Sequence, residues 1–121
     1  MSVLLDSCIL IDFLAGRDAA RTYLASVDGA AISLITWMEV VIAAQSPEEE
    51  AVVRAFLSAF EVLSVDAPVA EEAVVLRRSR RLKLPDAIIF ATARIHGRSL
   101  ATRNTRDFTE GEVGVSVPYR L

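Results

Sequence analysis

Two patterns of apolar residues alternate along the chain. Short, nearly unbroken apolar runs, "SVLLD" (2–6), "AAIS" (30–33), "EVLSV" (61–65), "RSLAT" (98–102) and "VSV" (115–117), predict strands. Longer mixed segments between them predict helices. "SCILIDFLAG" (7–16) is stopped by Gly16, and "RDAARTYLASV" (17–27) ends at an Asp28-Gly29 turn. "TWMEVVIAAQ" (36–45) and "SPEEEAVVRAFLSAF" (46–60) follow. The second has a plain N-terminal signal: Ser46 as cap, Pro47 at the first helical position, then three acids that suit the helix dipole. Asp66 opens a long helix through "PVAEEAVVLRRSRRLK" (68–83), and Pro85 starts another in "LPDAIIFATARIHG" (84–97).

Strands that are apolar throughout, rather than alternating, are buried on both faces. Alternation with helices then predicts an α/β fold with a parallel sheet covered on each side. No repeat and no low-complexity linker interrupts the 121 residues, so residues 1–121 are expected to form one domain. Ligands in such sheets sit beyond the carboxyl ends of the strands.

Composition narrows the function. Apolar residues make up 53% of the chain, enough for a sizeable core. There is no apolar run of membrane-spanning length, and "MSVLLD" lacks the basic region of a signal peptide, so a soluble cytoplasmic protein with no membrane partner is expected. Cys8 is the sole cysteine, which excludes an internal disulfide and a cysteine zinc site. His96 is the sole histidine, which speaks against His-rich metal sites and Ser-His-Asp triads. The net charge of −3 argues against a protein that coats nucleic acid, but not against an enzyme that grips a short stretch of it.

Four acids stand at places that call for an explanation. Asp6 ends the first strand, Glu39 lies in an apolar helix, Asp86 heads another, and Asp107 lies in "TRNTRDF" after the fourth strand. Each has an ordinary structural reading. Asp6 and Asp86 can cap helices or sit in first turns, Thr36 and Glu39 have capping-box spacing, and Asp107 suits a turn. If the acids converge instead, they cannot all stay ionised without a cation, because like charges raise one another's pKa. An all-oxygen set with no His or Cys points to Mg²⁺ or Mn²⁺, and such a cluster is equipped for phosphodiester hydrolysis.

Four blocks, "LLDSCILIDFL", "ISLITWMEV", "LPDAIIFATARIHG" and "LATRNTRDF", resemble in order and spacing the PIN domain, and most of all the VapC-type toxins of bacterial toxin–antitoxin pairs. The resemblance covers nearly the whole chain. It implies a three-layer α/β/α fold with a central, mostly parallel sheet of four to five strands. It also implies a metal-dependent ribonuclease, a cognate VapB-type antitoxin and a homodimer. Asp6, Glu39 and Asp86 match the three central acids of that family. At the fourth position some relatives carry an Asp where Asn104 stands, and others an Asn followed three residues later by an acid, as Asp107 is here. Two departures stand out. Ser7-Cys8 replaces the frequent Thr-Asn after the first Asp, and Phe90 stands where a small residue is usual.

Other residues admit two readings. Arg77 to Arg81, "RRSRR", either form a solvated face paired to Glu71 and Glu72 or contact phosphate. Arg103 and Arg106 flank Asn104 and suit phosphate contact geometrically. Ser7 and Thr102 either hydrogen-bond the ligating carboxylates or act as ordinary caps. His96 fits a structural role at a helix end, and Cys8 that of a small packed residue. Trp37, Met38 and Phe56 fit either a core or an interface. Two competing functions are a receiver-type signalling module, for which Asp66 can pose as phosphoacceptor but Lys83 is badly placed as the lysine, and a binding domain without catalysis.

Overall fold

The computed structural model describes residues 2–121. Its elements run β1 (Val3–Leu5), α1 (Ser7–Leu14), α2 (Asp18–Ser26), β2 (Ala31–Ser33), α3 (Leu34–Ile42), α4 (Pro47–Leu57), β3 (Glu61–Leu63), α5 (Ala67–Arg80), α6 (Leu84–Ile95), β4 (Ser99–Ala101) and β5 (Val115–Ser116). The strands form one sheet in the order β3-β2-β1-β4-β5, parallel at every pairing. The sheet expected from the apolar runs is therefore present, with all five strands.

The pleat divides the core in two. Leu4, Ala31 and Leu100 face a cluster built from Val69, Ala73 and Leu76 of α5 and from Ala87 and Phe90 of α6. Their neighbours Val3, Leu5, Ile32 and Ala101 face the other way, onto Ile9 and Leu10 of α1, Val40 of α3 and Val53 and Leu57 of α4. Successive strand residues thus serve opposite layers, which is why the central strands read as unbroken apolar runs. The result is the three-layer α/β/α arrangement. Among the described residues no helix is long and apolar enough to cross a membrane.

Local signals set the helix ends. Ser46 accepts from the Glu49 amide at 3.0 Å, and Asp66 accepts from the Val69 amide at 3.2 Å. Each such cap is worth about 1 kcal/mol. Gly16 takes a φ of 83° just after α1, a conformation glycine adopts without steric cost. The start of α3 corrects the capping-box reading. The helix begins at Leu34 with Ser33 as its cap, and the side chain of Thr36 lies buried inside the first turns.

The expected pairing of the arginine run with Glu71 and Glu72 is also corrected. Glu72 pairs with Arg94, and Arg80 pairs with Glu112 from the far end of the chain. α5 ends on Arg81, whose φ of 56° lies in the left-handed region. A residue with a Cβ is held there at a cost on the order of 1 kcal/mol relative to glycine. Phe90 is absorbed by the core. It packs edge-on against Phe108 at 5.4 Å, and the guanidinium groups of Arg80 and Arg94 lie over its ring at 5.3 and 5.6 Å.

Candidate active site

β2 and β3 lie on one side of β1, while β4 and β5 lie on the other. The direction of winding reverses between β1 and β4, so a crevice opens beyond their carboxyl ends. Asp6 follows β1 directly, and Thr102 and Arg103 follow β4. The cleft there has a volume of about 550 Å³, and Asp6, Glu39, Asp86 and Asp107 all line it. Four acids spread along most of the sequence are brought to one cavity by the fold.

Each acid is set differently. Asp6 is buried and serves as the cap of α1. Its Oδ1 accepts from the Ser7 amide at 2.8 Å and its Oδ2 from the Thr102 hydroxyl at 2.6 Å. Burial outweighs these bonds and pushes its pKa above the ordinary value. Glu39 accepts from the Ser7 hydroxyl at 2.6 Å, and that hydroxyl also lies 3.2 Å from Thr36 Oγ1. Ser7 therefore joins α1 to α3 across the floor of the cleft. Asp86 stands in the first turn of α6, after Pro85, and is not the cap.

Burial, then the like charges of Asp6, Asp107 and Glu39, push the Asp86 carboxyl up to about 6, with Lys83 acting in the opposite direction. Asp107 and Asn104 are tied to each other. The Asn104 side-chain amide donates to Asp107 Oδ2 at 2.9 Å, and the Asn104 backbone amide donates to Thr102 Oγ1 at 3.0 Å. Both residues that compete for the fourth position thus line the same cleft.

The donor set is made only of oxygens and carries more negative charge than its own bonds offset, which fits a hard divalent cation. Among the described residues, no three acidic, Cys or His side chains are gathered tightly enough to hold an ion as they stand. The carboxylates share a cavity and an electrostatic field without forming a closed cage.

Arg103 and Arg106 also line the cleft, on different terms. Arg103 grips Asp12 with both its Nε, at 2.7 Å, and its Nη2, at 3.0 Å. The Tyr119 hydroxyl donates to the same carboxylate at 2.8 Å. Burial acts against the Asp12 anion, but the bonds from Arg103 and Tyr119 prevail and hold its pKa below the ordinary value. Arg106 has no such partner among the described residues.

Sequence reasoning overlooks Asp12. Its signal is present: it is an acid inside the apolar helix "SCILIDFL", the same anomaly that singles out Asp86. Lys83, the lone lysine, is a further lining residue, to which the sequence reading gives no role in this site. Cys8 lies 3.7 Å from Asp6 Oδ2 and 3.8 Å from Thr102 Oγ1, and burial followed by the Asp6 charge pushes its thiol up to about 11. It is a packed, protonated group at neutral pH rather than a nucleophile. Asp66 caps α5 and does not line the cleft.

Comparison with known proteins bears on this site. The family model of the PIN domain matches residues 3–112. A chain of a toxin–antitoxin complex from Klebsiella pneumoniae is 46% identical, with a TM-score of 0.92 over 98% of this chain and 99% of that one. A chain of FitAcB from Neisseria gonorrhoeae is 26% identical, with a TM-score of 0.80 over 98% of each chain. A chain of DNA-bound VapBC from Salmonella typhimurium shares the fold at 24% identity, with a TM-score of 0.81 over 99% of this chain and 98% of that one. No curated protein sequence matches the chain.

Proposed function

The chain belongs to the PIN domain family, and on that premise we propose that it is the toxin of a VapBC-type toxin–antitoxin pair, a metal-dependent endoribonuclease. The observation that carries this reading is the convergence of Asp6, Glu39, Asp86 and Asp107 on one cleft at the carboxyl edge of the sheet. The 46% identity to a chain of a toxin–antitoxin complex supports the toxin assignment.

In this reading the four carboxylates hold Mg²⁺ or Mn²⁺, which when bound supplies Lewis acidity and activates water for phosphodiester hydrolysis. The chain's own groups prepare that site. Thr102 and the Ser7 amide fix the two oxygens of Asp6, Ser7 Oγ fixes Glu39, and Asn104 fixes Asp107. A carboxylate held by an outer hydrogen bond is oriented before any ligand arrives. No step requires a covalent enzyme intermediate, and the protonated Cys8 takes no part.

The antitoxin's seat in this reading is the apolar groove of about 320 Å³ between α1, α3 and α4. Ile11 lines both that groove and the acidic cleft, so a peptide seated in the first runs on toward the second. A homodimer completes the expected assembly, and its site of action is the cytoplasm, where its RNA substrate lies.

The test is cleavage of a total-RNA pool at low salt by the protein with Mg²⁺, with EDTA in place of Mg²⁺, and by the Asp86→Asn variant with Mg²⁺. Cleavage confined to the first condition is expected, with the variant slowed at least ~10²-fold, because loss of even an outer-sphere partner costs roughly 10–100-fold. Cleavage that persists in EDTA, or in a folded Asp86→Asn protein at the wild-type rate, would overturn the assignment.

A further inference from the structure

The basic run at the end of α5 has no part in the site described so far. Arg77, Arg78, Arg81 and Lys83 are exposed, and among the described residues their side chains have no hydrogen-bond or ion-pair partner. Arg80, in their midst, is different. It is held by Glu112, and its Nη2 donates to the Asp107 carbonyl at 3.3 Å. That bond places the last turn of α5 against the loop that lines the acidic cleft. Leu82 is buried and anchors the short connection to α6, and Lys83 beyond it lines the cleft itself. Cations without a hydrogen-bond or ion-pair partner among the described residues therefore lie at the end of α5, and Lys83, which acts on the Asp86 carboxyl, stands at the cleft itself.

The helix dipole favours basic residues in a last turn. It does not call for an arginine at Arg81, where the left-handed backbone would suit glycine better. A strained position filled by an unpaired charge points to a use for that charge. The cleft needs such help. Its four carboxylates repel a polyanion, Arg103 is neutralised by Asp12, and the whole chain carries a net charge of −3. Attraction of a phosphate backbone has to come from cations placed beside the acids.

We propose that Arg77, Arg81 and Lys83 form a phosphate track that carries single-stranded RNA along the end of α5 into the acidic cleft. The proposal rests on the ribonuclease reading above and adds the path of the substrate. In this track Arg81 bears the cost of its left-handed backbone while its charge binds RNA.

Binding and cleavage are tested separately. A short labelled single-stranded RNA of mixed sequence is titrated into the full-length Asp86→Asn protein, with and without Arg77→Gln, Arg81→Gly and Lys83→Gln, over a series of salt concentrations. Each cation withdrawn from the phosphates of a single strand flattens the plot of log K against log salt by about 0.7, so the triple substitution is expected to flatten it by about 2. Arg81→Gly alone is expected to raise Tm by about 2–5 °C while weakening RNA binding, a combination that a purely structural arginine would not give.

An unchanged slope in the folded triple variant, or no RNA binding by the Asp86→Asn protein, would overturn the track. So would tighter binding of a poly-glutamate peptide than of RNA at the same salt, since the surface would then be a seat for an acidic partner. Metal-dependent cleavage by the wild-type protein would stand in each of these cases. Its absence would count against the ribonuclease reading and leave the binding result to judge the track.

Discussion

At the scale of single residues, the site is decided by what each carboxylate can share. Asp6 is the deepest and has its two oxygens claimed by the Ser7 amide and the Thr102 hydroxyl. Thr102 also accepts from the Asn104 amide, so one hydroxyl orients both the first acid and the loop that bears the fourth. Thr102→Val keeps the shape and removes the hydroxyl. It is expected to lower metal affinity and cleavage by roughly 10–100-fold while far-ultraviolet dichroism stays unchanged. A Mg²⁺ titration beside the cleavage assay checks this, and an unaltered affinity would return Thr102 to a packing role.

At the scale of elements, the clamp at Asp12 ties three parts of the chain together. Arg103 comes from the end of β4, Asp12 from α1, and Tyr119 from the C-terminal segment. The Asp12 side chain is 7% exposed and that of Arg103 is 35% exposed. Removing the acid strands a half-covered cation and a phenol hydroxyl. Asp12→Ala is therefore expected to cost about 2–3 kcal/mol, below the full range for a wholly buried pair because Arg103 reaches solvent. Urea unfolding would measure it, and a loss under ~0.5 kcal/mol would mean that the clamp is a surface pair. This clamp occupies Arg103, whereas Arg106, which lines the same cleft, has no side-chain partner among the described residues.

At the scale of the whole molecule, the site is a charge imbalance that the fold tolerates. Asp86 has a folded pKa of about 6 against an ordinary 3.8, and that of Asp6 is also raised. Protons therefore bind the folded state more tightly than the unfolded one. The resulting stabilisation is complete below the unfolded pKa and is lost as pH rises through about 6. Without divalent cations, Tm is expected to fall as pH rises from about 5 to about 7.5. Asp86→Asn is expected to flatten the fall and to be more stable than wild type near neutrality. In the proposed reading Mg²⁺ would bind the folded state alone, so at about 100 times its Kd it should restore about 2.7 kcal/mol to the wild type and much less to the variant. Scanning calorimetry across pH, with and without Mg²⁺, reads all three effects. A wild-type Tm that rises with pH over this window would refute the upward shift that burial, and after it the neighbouring carboxylates, give Asp86.

Much of this protein is determined locally and so is readable from its sequence. The strands are apolar on both faces because helices cover both, which predicts the parallel sheet. Ser46 with Pro47, Asp66 and Pro85 mark helix starts where the structure has them, because caps and proline act within a few residues. An acid in an apolar segment announces itself as costly, which marks Asp6, Glu39 and Asp86, and equally Asp12, without telling which of them share a cleft. The start of α3 escapes such reading because Ser33 and Thr36 offer equivalent hydroxyls, and tertiary packing turns Thr36 toward Ser7. The partners of Arg80 and Arg103 escape for a related reason. Glu112 lies 32 residues from Arg80 and Asp12 lies 91 from Arg103, and no local rule reaches so far. The sequence by itself determined the elements and the odd charges within them. Only the tertiary structure decided which charges meet, because strand order brings the ends of β1 and β4 side by side and helix packing sets Glu39 of α3 and Asp86 of α6 in the same cleft.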